Sequence, residues 1–171
     1  MKIIKVIWYN LIGDIMDELV LKEIIEILRI KKYKISFCES CTGGMLVSTL
    51  VSISGTSNVL EESYVTYSED AKKKILGVNE KTIEKYTVYS KEVSKEMALG
   101  LKKISSSDVN ISITGHAGGD ENKDNGVAYF TIIIGDNIYE NKIRVDGNRD
   151  EVRKKFTENV FKTLHKLLKN M

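Results

Sequence analysis

The sequence predicts an α/β fold, a three-layer α/β/α sandwich around a mixed β-sheet. Three observations carry that expectation. Helical and extended patterns alternate through the first two-thirds of the 171 residues, which calls for parallel strands joined by crossover helices. Val127–Ile134 and Ile138–Val145 then flank Gly135-Asp136-Asn137 as a hairpin, adding antiparallel strands to the sheet. A last stretch, Arg149 to Leu168, repeats Val152, Phe156, Val160, Leu164 and Leu167 at helical spacing. With no internal repeat, linker or low-complexity segment, a chain of this length is expected to form one domain spanning residues 1–171.

The elements follow in order. Residues 1–14 are apolar without a clean period and fit an extra strand or an extension of the next helix. Residues 16–32 place Leu19, Leu21, Ile24, Ile25, Ile27 and Leu28 at helical spacing. Tyr33 to Phe37 reads as the first strand, and a helix is predicted from Thr42 to about Ile53, ended by Ser54-Gly55-Thr56-Ser57-Asn58. Val59 to Tyr67 is a second strand. Ser68 caps the helix after it, with Glu69 and Asp70 in the first turn, and Gly77 ends it. Lys81 to Tyr86 forms a further turn, and Ser90 caps an amphipathic helix carrying Val93, Met97, Leu101 and Ile104. Asp108 to Thr114 is a buried strand that opens into Gly115-His116-Ala117-Gly118-Gly119-Asp120, a loop expected at the same edge as Ser40.

Composition narrows the function. The net charge of +2 is too small for a nucleic-acid or membrane-surface binder. No apolar run reaches the length of a membrane span, and the first ten residues lack a signal-peptide core, so a cytoplasmic location is expected. The two cysteines form a single C-x-x-C, Cys38 and Cys41. Such a pair between strand and helix can do redox work. This chain, however, has no proline to face a disulfide, and only His116 and His165 could complete a zinc site. Buried, unreactive thiols are the simpler expectation.

The stretch with chemistry in it is Ile35-Ser36-Phe37-Cys38-Glu39-Ser40-Cys41-Thr42-Gly43-Gly44. A serine at a strand-to-helix turn, beside backbone amides bared by two glycines, supplies a nucleophile and an oxyanion hole together. Ser40 or Thr42 as a simple helix cap accounts for the same residues. Lys72 falls one turn into its helix, near the positive end of the dipole, where a cation is disfavoured. It is either a solvated partner of Glu69 and Asp70, or it turns inward, loses solvent and becomes a neutral amine base. Tyr67 and Lys72 are one residue further apart than the Y-x-x-x-K of short-chain dehydrogenases. No glycine-rich dinucleotide turn accompanies them, so hydride chemistry fits poorly.

Taken together, several blocks resemble the CinA carboxy-terminal domain family. They are Glu39-Ser40-Cys41-Thr42-Gly43-Gly44, Ser54-Gly55-Thr56-Ser57, Tyr64-Val65-Thr66-Tyr67-Ser68 with Lys72, and Leu76-Gly77-Val78. Val88-Tyr89-Ser90, Thr114-Gly115-x-Ala117-Gly118 and Gly147-x-Arg149 continue the similarity, which runs from about residue 18 to the end. The resemblance implies a nicotinamide-nucleotide amidohydrolase, converting nicotinamide mononucleotide (NMN) and water to nicotinic acid mononucleotide and ammonia. It implies a Ser–Lys pair assisted by a tyrosine: Ser40, Lys72 and Tyr67, with no metal and no cofactor. Amides near Thr42, Gly43 and Gly44 would hold the oxyanion. Thr114, Gly115 and Arg149 would bind substrate, its phosphate falling to Arg149 and the Gly115–Gly119 loop.

One block departs from the family pattern. The family usually continues Thr-Gly-x-Ala-Gly with a proline and further glycines, and often has an aliphatic residue at x. This chain reads Thr114-Gly115-His116-Ala117-Gly118-Gly119-Asp120-Glu121-Asn122, with His116 expected to meet ligand or solvent. The altered loop keeps open a second class of function, a non-catalytic module that binds a nucleotide or a protein. CinA-type proteins are associated with competence and DNA damage, which would suit a protein partner. Residues 1–12 lie outside the resemblance and are expected to extend the sheet or to make homo-oligomer contacts.

Overall fold

A computed structural model describes residues 18–118 and 125–171. The expectations for residues 1–14, and for the part of the altered loop from Gly119 to Asn122, lie outside the described residues. The described chain begins with a helix over residues 18–31 (α1). Then come β1 (Ile35–Glu39), α2 (Met45–Val51), β2 (Leu60–Val65), α3 (Glu69–Leu76), α4 (Glu80–Tyr86) and α5 (Lys91–Ile104). β3 (Val109–His116), β4 (Val127–Ile134), β5 (Asn137–Arg144) and α6 (Arg149–Lys169) complete it. The strands form one sheet in the order β2-β1-β3-β4-β5. β1 runs parallel to β2 and β3, while β4 is antiparallel to both of its neighbours, β3 and β5. This is the mixed three-layer α/β/α arrangement that the alternating patterns predict.

Side-chain alternation along the strands sorts the two faces. Ile35, Phe37, Ile111, Ile113, Phe130 and Ile132 point to one face, where α1, α2 and α6 cover them with Leu21, Ile24, Leu46, Leu50, Phe156 and Leu164. Burial of each such side chain contributes about 1.5–3 kcal/mol. Cys38 points to the other face, into a smaller cluster with Leu76, Ile83, Val93, Met97 and Leu101 from α3, α4 and α5. That second layer is partly polar: Ser94 of α5 meets Ser112 of β3 and Thr131 of β4, each hydroxyl pair 3.0 Å apart. α5 also lies close to α3, since a Cβ on Gly100 would sit 1.9 Å from the Leu76 carbonyl oxygen.

The topology places the site. Glu39 at the end of β1 is paired with Val65 at the end of β2 and with Ile113 of β3, so β1 and β2 end level while β3 continues to His116. After β1 the chain turns toward the face of α2, and after β2 toward the face of α3. Neighbouring strands whose connections leave to opposite faces open a crevice at their carboxyl ends, where α/β proteins bind ligands.

β1 stops at Glu39, where the Ser40 turn begins, but α2 starts at Met45 rather than the expected Thr42. Gly43 and Gly44 take φ of +61° and +94°, a left-handed conformation that cannot begin a right-handed helix. Ile104, placed on the buried side of α5 by its spacing, is exposed at the last turn.

Candidate active site

Ser40 follows β1 directly. Its N–H donates to the Ile113 carbonyl at 3.0 Å, which continues the β1–β3 pairing by one residue and fixes the serine over the strand ends. The Thr66 N–H donates to the Glu39 carbonyl at 2.8 Å and does the same on the β2 side. Ser68 then caps α3, its hydroxyl accepting from the Ala71 N–H at 3.1 Å. Side chains on a helix lean toward its N-terminus, so Lys72 reaches back over the cap.

Of the two readings of Lys72, the inward one holds. The side chain has no exposure to solvent. Its Nζ donates to the Thr66 carbonyl at 2.8 Å and the Tyr67 carbonyl at 3.0 Å, and lies 2.9 Å from Ser40 Oγ. Burial pushes the amine down from its ordinary 10.5 to about 8. A neutral amine has two N–H bonds and one lone pair. The two carbonyls match the two N–H bonds, which leaves the lone pair aimed at the Ser40 hydroxyl.

A cavity of about 390 Å³ opens over this pair, with Tyr67, Tyr89, Gly115, His116 and Arg149 among its walls. Tyr89 and His116 pack edge to face with ring centroids 5.6 Å apart. Arg149, first residue of α6, donates to the Gly118 carbonyl at 2.7 Å and to the Tyr67 hydroxyl at 3.2 Å. The phenol is 60% exposed and held by arginine, so it does not stand between Ser40 and Lys72. A cleft of about 210 Å³ between α1, α2 and α6, lined by Leu21, Met45 and Phe161, holds no such nucleophile–base pair.

The oxyanion expectation needs correction. The Glu39 carboxylate, wholly buried, takes the N–H groups of Gly44 and Leu46 at 3.0 Å and of Val47 at 2.9 Å. It also accepts from the Thr42 hydroxyl at 2.6 Å. The Gly43 N–H is spent on the Ser40 carbonyl at 3.1 Å. The Gly43 and Gly44 amides that the sequence assigns to the oxyanion are therefore already taken; of that set the Thr42 amide remains, while the Thr42 hydroxyl is held by Glu39. The N–H groups of Cys41 and Thr42 lie near enough to the Cys41 sulfur to work against the rise of its thiol on burial, but sulfur is a weak acceptor. Among the described residues no backbone oxygen takes either of them. Thr114 is corrected too: it is buried and its hydroxyl donates to the Val88 carbonyl at 2.9 Å, while its neighbour Gly115 lines the cavity.

Comparison with known proteins settles the relationship. The model of the CinA C-terminal domain matches residues 17–168. The chain belongs to that family. A CinA-like protein of Petrotoga mobilis is 48% identical over 126 residues, covering 72% of this chain and 31% of that protein. A CinA-like protein of Fervidobacterium nodosum is 40% identical over 144 residues, covering 82% and 35%. The chain thus spans about a third of the length of the curated relatives it matches. The crystal structure of the competence/damage inducible protein CihA from Agrobacterium tumefaciens superposes with a TM-score of 0.82 at 29% identity, covering 86% of this chain and 93% of that one. A CinA superfamily protein from Enterobacter cloacae gives 0.85 at 28% identity, covering 89% and 92%.

Within this CinA domain the C-x-x-C is chemically quiet. Both cysteines are free and buried. Burial raises the Cys38 thiol far above its usual range and the Cys41 thiol to about 12, so neither is a thiolate near neutrality. Cys38→Ala is expected to leave any activity at Ser40 within about twofold and to lower stability by about 1 kcal/mol, as a typical small core deletion does. Activity assays with and without a thiol reductant, alongside thermal melts, check this; strict dependence on reductant would restore a redox role.

Among the described residues no helix is long and apolar enough to cross a membrane. Sequence reasoning passed over Glu39 as a functional residue. A signal existed, since a carboxylate five to eight residues before Gly44, Leu46 and Val47 can reach the first free amides of a following helix.

Proposed function

We propose that this chain is an amidohydrolase that cleaves the carboxamide of NMN to nicotinic acid mononucleotide and ammonia. The observation that carries the proposal is the 2.9 Å approach of Lys72 Nζ to Ser40 Oγ, with both amine hydrogens engaged by carbonyls. Lone pair and hydroxyl proton then face each other in a site without competing acid or base between them. The neutral amine takes the proton as Ser40 Oγ attacks the carboxamide carbon. The Cys41 and Thr42 amides receive the developing oxyanion, each such donor typically contributing about 3–4 kcal/mol in the transition state. Protonated Lys72 then gives its proton to the departing nitrogen, ammonia leaves, and water, deprotonated by the regenerated amine, hydrolyses the acyl ester.

The cavity supports this substrate class in its walls. Tyr89 and His116 present ring surface to a flat pyridine, and Arg149 presents a guanidinium to a phosphate. Tyr67, anchored by Arg149, orients substrate or guanidinium rather than relaying the Ser40 proton. The test is release of ammonia, in step with nicotinic acid mononucleotide, from NMN and pure protein. Saturable NMN binding with no ammonia would overturn the proposal in favour of a binding module on the same scaffold.

A further inference from the structure

Glu39 immediately precedes Ser40, and its carboxylate hydrogen-bonds neither the Ser40 hydroxyl nor the Lys72 amine among the described residues. Its carbonyl accepts the Thr66 N–H, which fixes the segment whose next two carbonyls, Thr66 and Tyr67, hold Lys72 Nζ. Its carboxylate, turned the other way, gathers Thr42, Gly44, Leu46 and Val47 around itself. The chain from Ser40 to Val47 is folded over that carboxylate, with the two left-handed glycines making the bend. Four donors converge on two oxygens. Both oxygens must be acceptors, which a carboxylate provides and a carboxamide does not. A simple helix cap commonly satisfies one or two amides. Here the carboxylate holds three amides and a hydroxyl, and with them the path of the backbone between the nucleophile and α2.

We propose that Glu39 is the positioning residue of this site: its carboxylate sets the turn that presents Ser40 Oγ and the Cys41 and Thr42 amides to one point. The inference rests on Ser40 being a nucleophile, but not on NMN being the substrate. Glu39→Gln places an NH₂ where one oxygen stood, facing either Val47 N–H or the Thr42, Gly44 and Leu46 donors, and the turn must shift. Small misplacements of reacting groups cost about a hundredfold.

A serine-directed fluorophosphonate tests this independently of substrate identity. Ser40 Oγ forms the bond to phosphorus as fluoride leaves, Lys72 takes the proton, and the phosphoryl oxygen of the tetrahedral adduct falls to the same amides. In folded Glu39→Gln, the labelling rate at saturating probe is expected to fall about 30- to 100-fold. The half-saturating concentration should stay within about twofold, because Tyr89, His116 and Arg149 are untouched. The acid limb of labelling should also stay in place. Thr42→Val, which removes one donor and keeps the charge, should show a smaller fall of about fivefold, and it carries the test alone if Glu39→Gln does not fold. Labelling at the wild-type rate in the folded variants overturns the proposal. So does a displaced acid limb, which would make Glu39 a charge acting on Lys72, and so does a wild-type Ser40 inert to the probe. Labelling that slows as expected in a protein that leaves NMN intact would sink the amidohydrolase reading alone.

Discussion

Lys72→Met is expected to lower NMN turnover by about 10³- to 10⁴-fold with little change in the fold. General-base catalysis by a placed side chain is worth about 10²–10⁴, and here the same group also reprotonates the leaving nitrogen, so the upper part of that range applies. Methionine fills the buried volume and removes the amine. The Thr66 and Tyr67 carbonyls lose their donor, which costs about 1–3 kcal/mol for buried acceptors. The same variant also rids the protein of a buried amine that must shed solvent, and these opposing terms keep the net stability change small. Rate assays under saturating NMN, with a melt to confirm folding, check the result. A Lys72→Met protein within tenfold of wild type would place the base elsewhere.

The pH profile separates the amine from other bases. With the folded pKa near 8, kcat/KM is expected to rise about tenfold per unit up to that pH and then level, because only neutral Lys72 is competent. At pH 7 about a tenth of the molecules carry the neutral amine. Stability moves in the same direction. Below pH 8 both folded and unfolded chains hold the proton and this group adds no slope. Between about 8 and the ordinary 10.5 only the unfolded chain holds it, so the group makes stability rise with pH by up to about 1.4 kcal/mol per unit. The difference between wild-type and Lys72→Met stability curves isolates that slope. A rate flat down to pH 5 would exclude a lysine base.

The parts of this architecture that depend on local pattern were legible from the chain. β3 and the β4–β5 hairpin follow from alternating or continuous apolar runs around Gly135-Asp136. The α6 stripe of Val152, Phe156, Val160 and Leu164 is buried as its spacing requires. The Ser40 turn was legible as a motif, but its hydrogen bonding was not. Bared amides look available in a sequence, whereas in three dimensions the Glu39 side chain folds forward and takes them. Lys72 shows the same limit. Its neighbours in sequence, Glu69 and Asp70, argue for a solvated surface, while the acceptors it uses are carbonyls at the end of β2, set by strand pairing rather than by helix spacing. The contact between Tyr67 and Arg149 joins residues 82 apart. No periodicity encodes it; it exists because α6 starts at the edge where the parallel strands stop.

Ser40→Ala should be the most damaging single change, with turnover down by about 10⁵- to 10⁶-fold. Removing the nucleophile of a concerted hydroxyl–base unit typically costs about that much, since neither the amine nor the oxyanion donors can do the covalent step alone. The fold should survive it. Ser40 keeps its place through its N–H bond to Ile113, which alanine retains, and among the described residues the only side-chain bond lost is the one to Lys72. That loss removes the third acceptor that a protonated Lys72 would need, while the two carbonyls still satisfy the neutral form. The amine should therefore titrate still lower in the variant, and melts in acid should show a larger loss of stability than melts at pH 9. A folded Ser40→Ala protein that releases ammonia at more than about one-hundredth of the wild-type rate would mean that water, not serine, attacks the carboxamide, with Lys72 as its base.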